Sequence, residues 1–180
     1  ENYVHPALAD APAAQPGGAT VEEGIVRGMY LLQARPDARV QLLGSGTILR
    51  EAIAAAETLE RDHGIAANVW SVTSWTELRW DAMACATPSD AVREVRGSGV
   101  GGTSWARQCL AGTAGPVIAA AGYVGAVPDL IRLCVPENRR YVTLGTDGFG
   151  RSDTRAQLRS FFAVDRAHIV ATALAALDLP

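Results

Sequence analysis

Short apolar segments alternate with helical patterns along most of the chain, and this alternation constrains the fold more than any other feature. A strand that leads through a crossover helix into a further strand packs as a parallel sheet with helices on its faces. We therefore predict a three-layer α/β domain with a mostly parallel sheet and helices on both faces. The predicted strands are "RVQLLG", "ANVWSVT", "GPVIAAA" and "RRYVTL".

Helical patterns lie before, between and after these strands. The clearest is "SGTILREAIAAAETLERDHG", where Ser45 or Thr47 is predicted to cap the helix and Gly64 to end it. The pattern "VEEGIVRGMYLLQA" has apolar residues near helical spacing and predicts one helix across the whole segment. The other predicted helices are "WTELRWDAMACA", "AVPDLIRLCV" with Pro128 in its first turn, "TRAQLRSFF" capped by Ser152 or Asp153, and "RAHIVATALAAL" capped by Asp165.

Composition divides the chain into an arm and one domain. Residues 1–20 are rich in Pro, Ala and Gly, which is typical of an extended arm or linker. Residues 21–180 are enough for a single domain with a well-buried core, since 48% of the chain is hydrophobic. Residues 87–104 are glycine-rich without a consistent period, and this pattern predicts a mobile loop inside the domain.

Charge and composition argue against several function classes. A formal net charge of -3 gives no basic footprint for nucleic acid or an acidic membrane surface. All basic residues are arginine, so the chain has no Schiff-base lysine and no phosphate-loop lysine. No apolar run approaches the roughly 20 residues of a membrane span, and the first residues do not resemble a signal peptide. Three widely spaced cysteines, Cys85, Cys109 and Cys134, are typical of buried free thiols in a reducing cytoplasm.

Two glycine-containing turns are candidate interface or anion-binding sites. Gly44, Ser45 and Gly46 follow a predicted strand and precede the clearest helix, where a helix N-terminus favours an anion. The segment "LGTDGFGRSDTR" has the spacing G-x-x-G-x-G, which is neither a dinucleotide fingerprint nor a Walker loop. Each turn also has a purely structural reading, as a close-packed strand-to-helix connection or a turn held by Asp–Arg pairs. The candidates in the second turn are Asp147, Gly148, Gly150, Arg151, Asp153 and Arg155.

The sequence shows no complete active site. His5, His63 and His168 are far apart, and their spacing does not suggest a metal pair. No Ser–His–Asp or Cys–His arrangement is evident among neighbouring residues. Three tryptophans spaced five residues apart are typical of core or interface aromatics. We predict no catalytic, metal-binding or cofactor-binding residue in this chain.

Several segments together resemble the C-terminal transketolase-like domain of the homodimeric bacterial pyruvate dehydrogenase E1 component. The resemblance covers almost the whole chain, and "LGTDGFGRSDTR" is its most specific part. The opening "ENYVHPAL…EEGIVRGMYLL" resembles the segment that leads into that domain. The other matching segments are "VQLLGSGTILREAIAAAETLERDHGI", "VWSVTSWTEL", "ARQCLAGTAGPVIAA", "AVPDLIR" and "RRYVTLGTDGFGRSDTRAQLRSFFAVDRAHIV".

The resemblance implies a setting for the chain. Such E1 enzymes use thiamine diphosphate and Mg²⁺ to decarboxylate pyruvate, and they pass a two-carbon unit to lipoyl groups. In this family two other domains hold the cofactor, and the C-terminal domain mainly supports the dimer. We therefore expect this chain alone to bind no cofactor and to be inactive. The glycine-rich turn is then an assembly element, with Arg151, Asp153 and Arg155 as its polar contacts.

The chain departs from the family pattern in two loops. The stretch "AAGYVG" stands where the family has an acidic and aromatic "SDYM"-like stretch. The stretch "AMACATPSDAVREVRGSGVGGTSW" replaces a Trp-Asn-x-Leu-His-Pro segment and an Arg-Val-Pro stretch. Changes confined to loops on a retained scaffold indicate an altered partner or substrate.

Three functions follow from these observations. The first is a domain or subunit of a thiamine diphosphate-dependent E1-like enzyme that transfers a two-carbon unit from a 2-oxo acid or ketose donor to a lipoyl or carrier-protein acceptor. Its partners would be the polypeptide or domains with the cofactor site and a lipoyl, acyltransferase or acyl-carrier component, in a dimeric or heterotetrameric assembly. The second is a non-enzymatic docking module of a split pyruvate dehydrogenase/transketolase-like system in secondary metabolism. The third is a nucleotide-binding α/β domain that uses either glycine turn.

Overall fold

A five-stranded sheet forms the centre of the computed structural model, which describes residues 4–86 and 102–178. The strands are β1 (Met29–Gln33), β2 (Val40–Ser45), β3 (Ala67–Val72), β4 (Val117–Ala120) and β5 (Tyr141–Leu144). They lie in the order β1-β3-β2-β4-β5. The last four strands of the chain run parallel, and β1 is antiparallel to β3 at one edge. The mostly parallel sheet is as predicted.

Helices cover both faces of this sheet, as the three-layer prediction requires. They are α1 (Val21–Val26), α2 (Leu49–His63), α3 (Trp75–Ala86), α4 (Trp105–Ala111), α5 (Ala126–Asp129), α6 (Arg155–Phe161) and α7 (Arg166–Ala176). Each face has its own cluster of buried apolar side chains, which we call the first core and the second core. On one face, Leu59 of α2 and Ile169 of α7 belong to the first core. On the other face, Trp75 of α3 and Trp105 of α4 belong to the second core.

The predicted single helix across "VEEGIVRGMYLLQA" is wrong, because the segment forms two elements. Helix α1 ends at Val26, and Gly28 has φ +102° before the chain enters β1. A Cβ atom at Gly28 would lie 2.7 Å from the carbonyl oxygen of Ser74, so the chain passes close to the start of α3. Met29 pairs with Val72 of β3. Sheet pairing satisfies the backbone of this apolar segment, and it overrides the helical spacing of its side chains.

The start of α2 differs from the predicted cap, whereas its end agrees with the prediction. A 3₁₀ turn over Gly46–Ile48 precedes the helix, and neither Ser45 nor Thr47 provides a side-chain cap. The Ser45 hydroxyl instead accepts a hydrogen bond from the Trp75 indole at 3.0 Å. Gly64 ends the helix in the left-handed conformation with φ +63°, which glycine adopts without steric cost.

Of the caps predicted for the last two helices, one is wrong and one is confirmed. The prediction that Ser152 or Asp153 caps α6 is wrong, because the Thr154 side chain accepts the hydrogen bond at the start of that helix. The prediction for α7 is confirmed, since Asp165 Oδ1 accepts from the backbone N–H of His168 at 2.9 Å. Both side chains satisfy amide groups that have no partner inside the helix.

Two segments of the second face depart from the sequence-based assignment. Helix α4 was not among the predicted elements. The pattern "AVPDLIRLCV" divides into α5 and a 3₁₀ turn over Arg132–Cys134, with Pro128 inside α5 as expected. Most of the predicted mobile loop, residues 87–101, lies outside the described residues.

The segment before α1 is fastened to the free edge of β1 by one glutamine. The Gln15 amide nitrogen donates to the carbonyl oxygen of Leu31 at 3.0 Å, and its amide oxygen accepts from the Leu31 N–H at 2.7 Å. Gln15 is only 4% exposed. Its side chain therefore takes the place of a neighbouring strand at this edge. The expectation of an arm without packed elements does not hold at this point, and the boundary at residue 20 stays a prediction.

Candidate functional site

The two glycine-containing turns face each other across a cleft at the carboxyl edge of the parallel strands. One wall is the turn after β2, and the other is formed by α6 and the glycine loop, our name for residues 145–154. The cleft has a volume of about 470 Å³. The chain leads from β2 through α2 to β3, which lies on one side of β2 in the sheet. Strands β4 and β5 lie on the other side of β2. Ligands of open α/β sheets bind outside such a divergence of strand connections.

The lining of the cleft combines cationic and apolar groups. Its charged side chains, among the described residues that line it, are three arginines: Arg151, Arg155 and Arg159. The apolar lining comes from Ile48, Leu158, Phe162 and Val164. Thr47 and Thr146 add a hydroxyl group from each wall.

The first half of the glycine loop is held tightly to the segment after β4. A Cβ atom at Gly145 would lie 2.5 Å from the Cα atom of Gly125 and 2.7 Å from the carbonyl oxygen of Tyr123. The backbone N–H of Thr146 donates to Tyr123 at 2.8 Å, and the Gly125 N–H donates to Asp147 Oδ1 at 3.0 Å. These contacts fix the position of the loop relative to the sheet.

The second half of the loop reaches outward from this anchor. Gly148 has φ +96°, and the next residue, Phe149, is 95% exposed. The Arg151 guanidinium stacks over the Phe161 ring at 3.9 Å from the ring centroid, a cation–π contact. Asp153 Oδ1 accepts from the N–H of Thr154 at 2.6 Å. Both predicted aspartates of the loop therefore accept hydrogen bonds from backbone amides.

The turn after β2 contributes less to the cleft than its sequence suggests. Gly44 lies within β2, and a Cβ atom there would lie 2.8 Å from the Leu49 Cα and 3.1 Å from the Ala52 Cβ. Its role is therefore to allow α2 to pack closely against the sheet. Ser45 is buried and accepts from the Trp75 indole. Gly46 adopts φ +53° in the turn that brings Thr47 to the cleft.

A buried ion cluster behind α6 was not predicted. Glu51 of α2 is 4% exposed, and its carboxylate accepts from Arg159 at 3.1 Å and from the Arg166 side chain at 3.0 Å. Hydrogen bonding to Glu51 raises the pKa of Arg166 above its ordinary value. The only local signal in the sequence is a glutamate in the first turn of a helix, where the dipole favours a negative charge. Its arginine partners lie more than a hundred residues later in the chain.

Within the described part of the chain, the histidines and cysteines that the sequence analysis considered do not come together in a reactive centre. The His168 ring contacts Asp165 at 2.7 Å, in the same helical turn. The described residues include no group of three or more His, Cys, Asp or Glu side chains that could hold a metal ion. Cys85 is partly exposed and Cys134 is buried, and both are free. Burial raises the pKa of the Cys109 thiol to about 12, so it is a poor nucleophile.

Comparison with known proteins identifies the family. Residues 28–165 match the family model of the transketolase-like TK C-terminal domain. The chain belongs to this family. Across the residues that the structure describes, no helix is both long and apolar enough to cross a membrane.

The curated relatives of this transketolase C-terminal domain are much longer proteins. The chain is 48% identical to the pyruvate dehydrogenase E1 component of Pseudomonas aeruginosa and 39% identical to that of Escherichia coli K12. Each match covers 98% of the chain, but 19% and 18% of the relative. The chain therefore spans about a fifth of the length of these relatives, and it corresponds to their C-terminal region.

Solved structures support the same fold. A transketolase from Campylobacter jejuni matches 89% of the chain with a TM-score of 0.54 and 21% identity, over 20% of its own length. A split-gene transketolase, described as an inactive β4 tetramer, matches 85% of the chain with a TM-score of 0.57 and 20% identity, over 43% of its own length. These similarities show that the chain shares its fold with a region of transketolases.

Proposed function

We propose that this chain is the C-terminal domain or subunit of a thiamine diphosphate-dependent E1-like enzyme. The complete enzyme would transfer a two-carbon unit from a 2-oxo acid or ketose donor to a lipoyl or carrier-protein acceptor, in the bacterial cytoplasm. The identity of 39–48% to pyruvate dehydrogenase E1 components supports this setting. Within it, the chain serves assembly and support of the active site and is not itself catalytic.

The cofactor belongs to other domains in this proposal. In the E1 enzymes that the chain resembles, two other domains hold thiamine diphosphate and Mg²⁺. We therefore assign the cofactor to the polypeptide or domains that complete the enzyme, in a dimeric or heterotetrameric assembly. A lipoyl, acyltransferase or acyl-carrier component would then accept the two-carbon unit.

One observation carries the assembly role: a loop whose first half is anchored to the domain presents a large aromatic side chain to the outside. Phe149 is 95% exposed, although the same loop is fixed through Gly145, Thr146 and Asp147. Aromatic residues are enriched in the cores of protein interfaces, and a loop that is already anchored to its own domain loses less entropy on binding. We infer that Phe149 inserts into a neighbouring domain or subunit.

A chimeric enzyme tests this proposal. The C-terminal region of the Pseudomonas aeruginosa E1 component would be replaced by this chain, to which it is 48% identical. We expect a dimeric chimera that decarboxylates pyruvate when thiamine diphosphate and Mg²⁺ are added. The intact Pseudomonas enzyme and a version truncated before this region are the controls.

The outcomes separate assembly from substrate choice. A dimeric chimera that fails with pyruvate but accepts another 2-oxo acid or a ketose supports the assembly role and shows an altered donor. A chimera that is folded but monomeric contradicts the assembly role. An active truncated enzyme would also contradict it, because the region would then be dispensable.

A further inference from the structure

We propose that the cleft between the turn after β2 and the glycine loop binds a small organic anion. Its ligand would have a phosphate or carboxylate group on a compact apolar body. Clefts that bind small molecules have volumes of roughly 300–1,000 Å³ and are mainly apolar with a few polar groups that fix the ligand. The 470 Å³ cleft has this size, and its lining combines apolar side chains with three arginines and two threonines.

Positive charge is concentrated on one wall of the cleft. Arg155 and Arg159 are four residues apart on α6, so their side chains lie on the same helix face. Arg151 reaches the same cleft from the glycine loop. A guanidinium group matches the geometry of phosphate and carboxylate through paired hydrogen bonds.

Two of these guanidinium groups are already held in place. Arg159 donates to the buried carboxylate of Glu51 behind the cleft, and its side chain is only 14% exposed. Arg151 is stacked on the ring of Phe161. Side chains that are ordered before binding lose less entropy when a ligand arrives. These two side chains of the arginine wall are therefore ordered before a ligand arrives.

The apolar lining indicates more than an inorganic ion. Ile48 of the first wall and Leu158, Phe162 and Val164 of the second line the same cleft. Volume alone does not distinguish the site, because the cleft beside α1 measures about 550 Å³. That cleft is lined by Glu22 and Glu23 as well as Arg27, so its charges are mixed. The cleft beside the glycine loop differs from it in having arginines and apolar groups without an acidic side chain among its described lining residues.

A set of related probes tests the inference by calorimetric titration of the chain itself. Phenyl phosphate carries both the anionic group and the apolar body, inorganic phosphate carries only the first, and phenol only the second. We expect saturable binding of phenyl phosphate, weaker binding of phosphate and none of phenol. Phenylacetate shows whether a carboxylate serves as well as a phosphate. Because no other domain is needed, this test is independent of the assembly role.

Two arginine substitutions and one control locate the site. Arg151→Gln and Arg155→Gln should each weaken phenyl phosphate binding about tenfold, because each removes a charge-assisted hydrogen-bond donor. Arg61→Gln removes the same charge at the far end of α2 and should change binding by less than about twofold. Arg151→Lys should restore part of the affinity. A lack of saturation at millimolar phenyl phosphate, or equal losses in all three glutamine variants, would overturn the inference.

Discussion

Arg159 of α6 donates a hydrogen bond to Glu51 at the first turn of α2, at 3.1 Å, and this contact ties the wall of the candidate cleft to the core of the domain. The two side chains are 14% and 5% exposed, so both are largely withdrawn from water. A second arginine, Arg166, contacts the same carboxylate from the start of α7. One buried glutamate thus holds two later helices in position.

Substitution of that glutamate should destabilise the domain. Removal of one partner from a buried ion pair costs about 3–5 kcal/mol, because the remaining charge stays buried without compensation. For Glu51→Gln we expect a loss of about 3 kcal/mol in the free energy of unfolding, since Arg166 is half-exposed and retains solvation. Urea denaturation measures the change. Glu57→Gln on the exposed face of α2 is the matched control, with an expected change below about 0.5 kcal/mol.

Two glycines of the same loop should respond differently to alanine. At Gly145 a Cβ atom would clash with the backbone of Gly125 and Tyr123, so Gly145→Ala should cost about 1–3 kcal/mol in the free energy of unfolding. At Gly150 a Cβ atom would meet no atom within 4 Å, and Gly150→Ala should be close to neutral. Thermal and urea unfolding of both variants check the prediction. Equal effects at the two positions would show that the close approach does not hold the loop.

The regular part of the fold could be predicted because its signals are local. Strands β2 to β5 are short apolar runs, and the end of α2 is set by Gly64, which adopts a left-handed conformation. The strand β1 was missed because its apolar spacing also fits a helix, and only the pairing of Met29 with Val72 decides the outcome. Local periodicity does not contain that information.

The candidate site was predicted only in outline. The glycine turns could be named because each lies between a predicted strand and a predicted helix, and the structure shows that Gly44 and Gly145 are points of close backbone approach. The cluster at Glu51 could not be predicted, because its arginine partners follow more than a hundred residues later. The role of Ser45 could not be predicted either, because its hydroxyl accepts a hydrogen bond from Trp75, thirty residues later in the chain. Tertiary contacts of this kind leave no pattern in a single sequence.

The buried thiol of Cys109 predicts how stability changes at alkaline pH. Burial raises its pKa from 9.0 to about 12, so the unfolded chain loses this proton at a lower pH than the native domain. The contribution of Cys109 to the free energy of unfolding is fully present below about pH 9. Above that pH it falls by up to about 1.4 kcal/mol per pH unit. Cys109→Ala should therefore show a flatter decline between about pH 8 and pH 10.5 in urea denaturation. Parallel pH profiles of the two proteins would contradict this prediction.

Replacement of Phe149 should separate assembly from stability. Its ring is 95% exposed, so Phe149→Ala should change the free energy of unfolding by less than about 0.5 kcal/mol. In the chimera with the Pseudomonas aeruginosa enzyme, the loss of an interface anchor should weaken assembly by about 2 kcal/mol or more, roughly 30-fold in the dissociation constant. Analytical ultracentrifugation over a range of concentrations measures this constant. Leu133→Ala is the control, because Leu133 is also largely exposed, at 82%. It precedes Cys134, whose side chain packs in the second core, on the other face of the sheet from the first core. If both variants assemble like the parent chimera, Phe149 is not an anchor and the assembly role must lie elsewhere on the domain.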